Sequence, residues 1–531
     1  MFRNDTGVAL LGLNEKIMVF RTRDGQCYAN VGCDDQDETH PLPSKALQRW
    51  VRAELKKDEM ELPSEAQLQT FLKGLEAQAQ SDSIGPDFVH RRVGFERGKI
   101  YLDLGGWDRS VVQIGPEGWA VCKESPVFFS RSKGMLELPA PKKGGSIHAL
   151  RRFINVDDRE FVLVVGWLLA VLSGRGPYPV LAITGEAGSA KSTTAWIVRM
   201  LVDPHNAGVS APPKSEADLA ISATNGRVVA LDNLSAMPPW LSDAICRLST
   251  GCTFVRRRGQ SDHEQETFTV EAPVILNGIG DLTPRADLAD RTINIGLDAI
   301  PANKRKARNM LLAEFESARA GLLGALLDLV AEGLRNEHRT PRSLSRMADF
   351  EHWVSACETA FWPAGTFAEA YRENQSHSAE DALDADPVAQ GFRDFLKEAG
   401  PFEGTHQELL QSLTAFHSAP PGRAWPATPR ALSSILRRAA PNLRKTGVVM
   451  TFSKRSGGNR DRIVRAEIAA AAAPAPLVAA PSSALPKRPK KRASVPQSSL
   501  FPEDEIQNLP AKNDLGGAVG TIGTVVSPPP A

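Results

Sequence analysis

A chain of 531 residues with 42% hydrophobic content is too long for one core and has the material for about three domains. Its 63 basic and 62 acidic side chains nearly cancel, so a generally basic nucleic-acid coat is excluded and any such surface must come from local clusters. Six scattered cysteines without a CxxC pair give neither a disulfide framework nor metal-ligand spacing, and fit reduced thiols.

The opening MFRNDTGVALLGLNEK has no basic start followed by an apolar stretch, so no export signal and a cytoplasmic protein are expected. Residues 1–150 read as a mixed α+β domain. Strand-like KIMVFRT and DFVHRRVGFERGKIYLDLG flank amphipathic helical patterns near 44–56 and 64–80. The paired carboxylates of a primase or nuclease centre are missing from this stretch, which leaves a structural or recognition role. The longest apolar run, residues 161–172, has twelve residues, against the ~20 needed to cross a bilayer. It is expected as a buried helix opened by Asp157 and Asp158, and no membrane partner is expected.

From 151 to 300, short apolar strands alternate with helices, each strand followed by polar residues. That is the pattern of an α/β fold, a parallel sheet with crossover helices. The strand PVLAIT runs directly into Gly185, Glu186, Ala187, Gly188, Ser189, Ala190, Lys191, Ser192 and Thr193, and then into a helix. A glycine-rich loop between strand and helix turns amides inward around phosphates, and the helix start adds its dipole. In this P-loop reading Lys191 reaches the β/γ-phosphates of ATP and Ser192 ligates Mg²⁺. Ala190 stands where the motif has glycine. Its methyl is tolerable if φ stays negative there, with Gly188 supplying the tight turn.

Further along, GRVVALDN is an apolar strand ending in Asp232, which would hold the metal's water shell. APVILNG is another, ending in Asn277, placed to orient an attacking water or merely to cap a turn. In DLADRTINI, Arg291 precedes the last strand, where it faces a neighbouring subunit's phosphates or pairs with Asp287.

In this order, phosphate loop, acid-ended strand, basic hairpin, asparagine and late arginine resemble the AAA+ class, specifically superfamily 3 helicases. LDNLS, LSDAICRLSTG, PVILNGI, DLADR and SRMADFEHW resemble the helicase-like ATPases of phages, plasmids and integrative elements, often fused to or encoded near primase-polymerases. The resemblance covers most of residues 90–465. It implies replication of mobile DNA by a hexamer-like homo-oligomeric ring. Superfamily 3 proteins usually carry two acids at the end of the second strand, whereas Asn233 follows Asp232 here. Asp243 is a candidate general base or a helix cap. The hairpin TFVRRRGQSDHEQETFTV carries Arg256, Arg257 and Arg258 beside a tip at Gly259 but lacks the family's aromatic position. By resemblance it projects into the ring channel and tracks single-stranded DNA. The alternative is a solvated hairpin whose arginines pair with Asp262, Glu264 and Glu266.

Residues 301–375 read as a helical lid, followed by a polar linker near 374–386. Between Arg423 and Arg465 stand eleven basic residues against one acid, Asp461. Thr405 and Glu408 form a capping box, Thr428 caps a second helix with Pro429 in its first turn, and Pro441 stops that helix or starts a fresh turn. Arg430, Arg437 and Arg438 lie away from the Leu432/Ile435/Leu436 face. A hairpin with Lys454 and Arg455 then turns at Gly457–Gly458. Together, 387–468 suggest a winged helix on duplex DNA, or a basic interaction module without a DNA ligand. Residues 469–531 are Ala/Pro-rich and expected to be disordered. They carry the charge run KRPKKR, and Gln497, Leu500 and Phe501 in a peptide that resembles those docking on a bacterial sliding clamp.

Overall fold

The computed structural model describes Leu10 and residues 12–469, apart from 34–35, 82–84, 87, 258–264, 341–344, 385, 418–424 and 455–461. Arg258 and the hairpin tip, Arg455 with the Gly457–Gly458 turn, KRPKKR, and the Gln497/Leu500/Phe501 peptide lie outside the described residues.

Alternating burial first builds an antiparallel sheet of β1 (Ile17–Arg21), β2 (Cys27–Cys33) and β3 (Gln36–Pro41). The helices α1 (Lys45–Lys57) and α2 (Glu65–Ser81) cover it. Leu47, Val51, Leu68 and Leu72 from their apolar faces meet Val19, Ala29 and Val31. Four more strands follow in chain order, β4 (Val93–Glu96), β5 (Lys99–Asp103), β6 (Val111–Gly115) and β7 (Gly118–Cys122). Ile100, Leu102, Val112 and Ile114 of this meander belong to the same core as the helix α3 (Asp158–Ser173). The core therefore runs without a break through residue 150, where the sequence pattern places a boundary.

The apolar run 161–172 is the buried body of α3, as its composition predicts. Asp157 accepts from the Glu160 amide at 2.7 Å while the Glu160 carboxylate reaches back to the Asp157 amide. Behind α3 lies a parallel sheet of β8 (Val180–Gly185), β9 (Val229–Leu234), β12 (Val274–Gly278) and β13 (Thr292–Leu297), in the order β13-β8-β12-β9. The connections carry α4 (Lys191–Val202), α5 (Glu216–Asn225), α6 (Pro239–Thr250), the antiparallel pair β10 (Cys252–Arg257) and β11 (Gln265–Val270), and α7 (Ala286–Ala289). The α/β expectation for 151–300 holds in this parallel sheet.

The helices α8 (Arg308–Asn336), α9 (Ala348–Cys357) and α10 (Thr366–Asp384) share the α3 core through Phe315, Leu326, Phe350, Trp353 and Phe367. The polar stretch expected as a linker near 374–386 is instead mostly the second half of α10. Its Ala379 and Leu383 are buried, and its amides are bonded to β13. Gln375 donates to the Thr292 carbonyl at 2.9 Å. Asn374 accepts from the Asn294 amide at 3.1 Å and donates to the Asn294 carbonyl at 2.6 Å. Glu160 accepts from the Gly296 amide at 2.7 Å.

The remainder comprises α11 (Pro387–Ala399), β14 (Phe402–Thr405), α12 (His406–Phe416), α13 (Pro429–Lys445), β15 (Val448–Lys454) and β16 (Arg462–Ile468), with sheet order β14-β16-β15. The Thr405/Glu408 capping box and the Thr428 cap form as the sequence predicts. Pro441 does not end its helix: α13 continues to Lys445. Proline removes one helical hydrogen bond, at roughly 3 kcal/mol. Leu432, Leu436, Ala440 and Leu443, buried along one face, each gain from keeping the helix whole.

Candidate functional site

Parallel strands end on one edge of a sheet, so the residues that follow β8, β9 and β12 gather there. Ser192, in the first turn of α4, donates to Asp232 at 2.9 Å. The buried Asn277 amide donates to Asp232 at 2.5 Å and to the Ser192 hydroxyl at 3.1 Å. Three residues from three distant segments thus close a triangle of hydrogen bonds. Beside it Lys191 donates to the Gly185 and Glu186 carbonyls at 2.8 and 2.7 Å. The ammonium is held by the loop that precedes it.

The aim of Asp232 has a backbone cause. Leu231 pairs with Leu276 and Leu234 with Gly278, so Asp232 and Asn233 together oppose the single residue Asn277. This β-bulge needs a residue outside the extended region, and Asn233 takes it at φ 57°. Asparagine enters the left-handed region at less cost than most side chains. The departure from a second acid at this position therefore coincides with a conformational demand.

The loop corrects one expectation. Ala190 does not keep a negative φ; it sits at φ 68°, ψ 27°, as the N-cap of α4. A left-handed alanine costs roughly 1–2 kcal/mol. Gly188, at φ 85°, supplies the turn as expected. Gly185 has no room for a side chain, since a Cβ there would stand 2.3 Å from the Leu297 carbonyl. Ser189 is fully buried, and its hydroxyl has no partner among the described residues.

Arg291 follows α7 and pairs with Asp287 at 2.5 Å, the bland alternative of the sequence reading. Asp287 is shared with Arg346 at 2.7 Å. The Arg291 guanidinium beside it, together with the Cys246 thiol and Arg346, holds the Asp287 carboxyl below its ordinary range against the cost of burial. Asp243 is not a helix cap: Pro238 occupies the N-cap of α6, and Asp243 pairs with Arg285 at 3.0 Å. One cation was not singled out from the sequence. Arg305 brings its guanidinium to 3.3 Å from the position a Cβ on Gly188 would take, while its Nε donates to the Ile300 carbonyl at 3.0 Å. The signal was the run Lys304–Arg305–Lys306 directly behind the last strand of the sheet.

Of the residues considered for DNA, Arg430, Arg437 and Arg438 are exposed on α13, with Arg437 stacked over Phe452 at 4.1 Å. Arg256 and Arg257 lie on β10 opposite Glu266 and Gln265, and Lys454 on β15 opposite Arg462. Among the described residues no helix is long and apolar enough to cross a membrane, and no cluster of three or more His, Cys, Asp or Glu could hold a metal.

Residues 147–381 match the family model described as actinomycete integrative conjugative element replication protein, and residues 388–483 match the one described as AICE RepA C-terminal domain. No match was found among curated proteins. Similar solved structures include the A form apo structure of NrS-1 C terminal region-CTR, 12% identical over 87% of this chain and 98% of that one, with a TM-score of 0.39. Another apo structure of the NrS-1 C terminal region is 12% identical over 88% and 100%, with a TM-score of 0.40. Similarity at that level says nothing of chemistry here. Matched over more than half of its length by the two models, the chain belongs to the replication proteins of actinomycete integrative conjugative elements.

Proposed function

We propose that the chain is an ATP-hydrolysing DNA helicase or helicase-like translocase serving replication of the element. The observation that carries this reading is the Ser192–Asp232–Asn277 triangle beside Lys191, at the open end of a parallel sheet. Residues 185–193 form the P-loop of the site, and Lys191 takes the β/γ-phosphates once ATP replaces the loop carbonyls as its partner. A hydroxyl and a carboxylate 2.9 Å apart suit Mg²⁺, which keeps several waters and takes its other ligands from phosphate. Ser192 and Asp232 would hold that ion, and bound there it would neutralise charge on the transferring phosphate. Asn277 orients Asp232 and the water opposite it. Arg291, freed from Asp287, serves the site of the neighbouring subunit in a hexamer-like ring.

DNA meets two surfaces in this reading. The β10–β11 hairpin, with Arg256 to Arg258, follows a single strand in the channel. The C-terminal module has the helix–strand–helix–helix–hairpin order of a winged helix and offers Arg430, Arg437, Arg438, Lys454 and Arg455 to duplex phosphates. A primase-polymerase and a sliding clamp are its expected replisome partners.

The test is single-turnover strand separation of a forked duplex with Mg-ATP, comparing wild type with Lys191→Ala. Separation by wild type and its loss in the variant support the reading. Hydrolysis that DNA accelerates without separation leaves a translocase or loader. A second reading, a DNA-binding regulatory ATPase without motor activity, draws on Asn233, whose carboxamide cannot take a proton where relatives carry an acid. In that case Asn233→Asp, which also tolerates a left-handed φ, raises a slow and DNA-insensitive turnover.

A further inference from the structure

The N-terminal sheet and the β4–β7 meander face each other across a cleft of about 1060 Å³, well away from the nucleotide loop in sequence and lined by neither its strands nor its helices. Trp107, at the tip of the β5–β6 turn, lines this cleft and is 99% exposed. Its turn is rigid. The Asp108 carboxylate accepts from the Ser110 amide and hydroxyl at 3.3 and 2.5 Å, and Arg131 donates to the Gly106 carbonyl at 2.8 Å. The large indole stands out from this turn with no hydrogen bond or ring contact among the described residues. Exposed tryptophans on rigid frames are the residues that interfaces use as anchors.

Charge says what such an anchor would meet. Two of the cleft's arginines are spent: Arg131 grips both oxygens of the buried Asp103, at 2.5 and 2.9 Å, and Arg109 pairs with Glu38. Arg49, Lys123 and Lys133 remain exposed on the rim, against Asp37 and Glu124. Asp108 adds a third exposed acid near Lys123, so the cleft offers an indole with scattered cations rather than a strongly basic surface, which suits a ligand with both a flat aromatic face and phosphates. Bases in a duplex are stacked on one another, so only an unpaired base can reach the indole.

We propose that this cleft binds a single strand of nucleic acid, one base stacked on Trp107 and its neighbouring phosphates on Lys123, Lys133 and Arg49. Exposed cations and acids around the cleft nearly balance, so stacking supplies most of the affinity and the salt dependence is shallow. The site stands apart from the ATPase reading, because neither nucleotide nor hydrolysis enters it.

The test uses the full chain without nucleotide, carrying Arg256→Ala and Arg257→Ala so that the hairpin does not mask the cleft. Anisotropy titrations with fluorescein-labelled (dT)15, (rU)15 and a 15-base-pair duplex probe the parent, Trp107→Ala, Trp107→Phe and Lys123→Ala/Lys133→Ala. Stacking is worth enough that Trp107→Ala should weaken single-strand binding roughly ten-fold, with Trp107→Phe restoring most of it. The double lysine variant should lower the salt slope by about 1.4, two phosphates at ~0.7 each. Photo-crosslinking of a 5-iodouracil oligonucleotide should label the peptide that contains Trp107. A loss confined to (dT)15 or to (rU)15 names the natural strand as DNA or RNA. Unchanged single-strand affinity in Trp107→Ala, or an equal loss on the duplex, overturns the proposal. Trp107 is exposed, so a folding defect does not stand in for lost binding, and melting curves check it.

Discussion

Lys445, the last residue of α13, donates to Asp290 at 2.6 Å, and Asp290 directly precedes Arg291. The most basic helix of the C-terminal module is thus tied to the segment that carries the arginine expected at a subunit interface. Arg346 holds the other Asp290 oxygen at 3.0 Å. Lys445→Met is expected to cost about 1 kcal/mol, since Arg346 remains to satisfy the carboxylate. It should also reduce the stimulation of hydrolysis by duplex DNA more than the basal rate. Denaturant unfolding and paired ATPase assays with and without DNA read the two effects.

Ala190→Gly removes a methyl from a left-handed position. The relief of roughly 1–2 kcal/mol is partly offset by glycine's extra freedom in the unfolded chain, about 0.5–1 kcal/mol. A net gain of about 0.5–1 kcal/mol should appear as a higher urea midpoint with an unchanged slope. An equal or lower midpoint would mean that the alanine contributes packing that outweighs its strain.

Asn277→Ala leaves Lys191 and the loop in place but takes away the amide that orients Asp232. Partners of metal-holding groups typically matter by 10–100-fold. The magnesium concentration for half-maximal hydrolysis should rise by roughly that factor, with nucleotide binding in EDTA little changed. The comparison of Mg²⁺ titrations decides it.

Arg305 and Arg291 make opposite predictions in mixed assemblies. Arg305 stands beside Gly188 of the loop of its own chain, so Arg305→Ala should raise the nucleotide Kd about ten-fold in every subunit that carries it, the worth of one charge-assisted hydrogen bond. Arg291→Ala should leave Kd alone and lose turnover, which wild-type subunits restore in part. Titrating each variant with wild type separates the two.

Burial, with Arg227 adding to it, pushes His90 down from its ordinary 6.5 to about 4. The folded state keeps this imidazole neutral while the unfolded chain still takes up the proton. The stability it contributes is complete above about pH 6.5 and is lost as the pH falls towards 4. Unfolding midpoints measured across that window should fall, and His90→Phe should flatten the slope.

The triangle was legible because strand, polar terminus and helix recur in a fixed order, and that order alone puts Ser192, Asp232 and Asn277 on one sheet edge. Caps were legible too, since Asp157, Thr405 and Thr428 act within three residues of themselves. What sequence reading missed depends on distant partners. A single sequence does not show that Ala190 turns left-handed, or that α13 runs on through Pro441 because Leu443 is buried beyond it. Arg305 reaches the loop only through the turn after β13. Asn374 and Gln375 read as linker because their polarity looks like solvent exposure, when it serves the backbone of a neighbouring strand.

That last feature has a consequence for how copies of this chain meet. As the outermost member of its sheet, β13 would otherwise offer carbonyls and amides to any extended peptide, and strands left bare in this way recruit one another. Gln375, Asn374 and Glu160 take up Thr292, Asn294 and Gly296 in turn, so stacking by strand addition is closed off on this side. Copies of this chain that meet on that side, as in the ring proposed above, would join through side chains, which can part and re-form, rather than through a continuous ladder that could not.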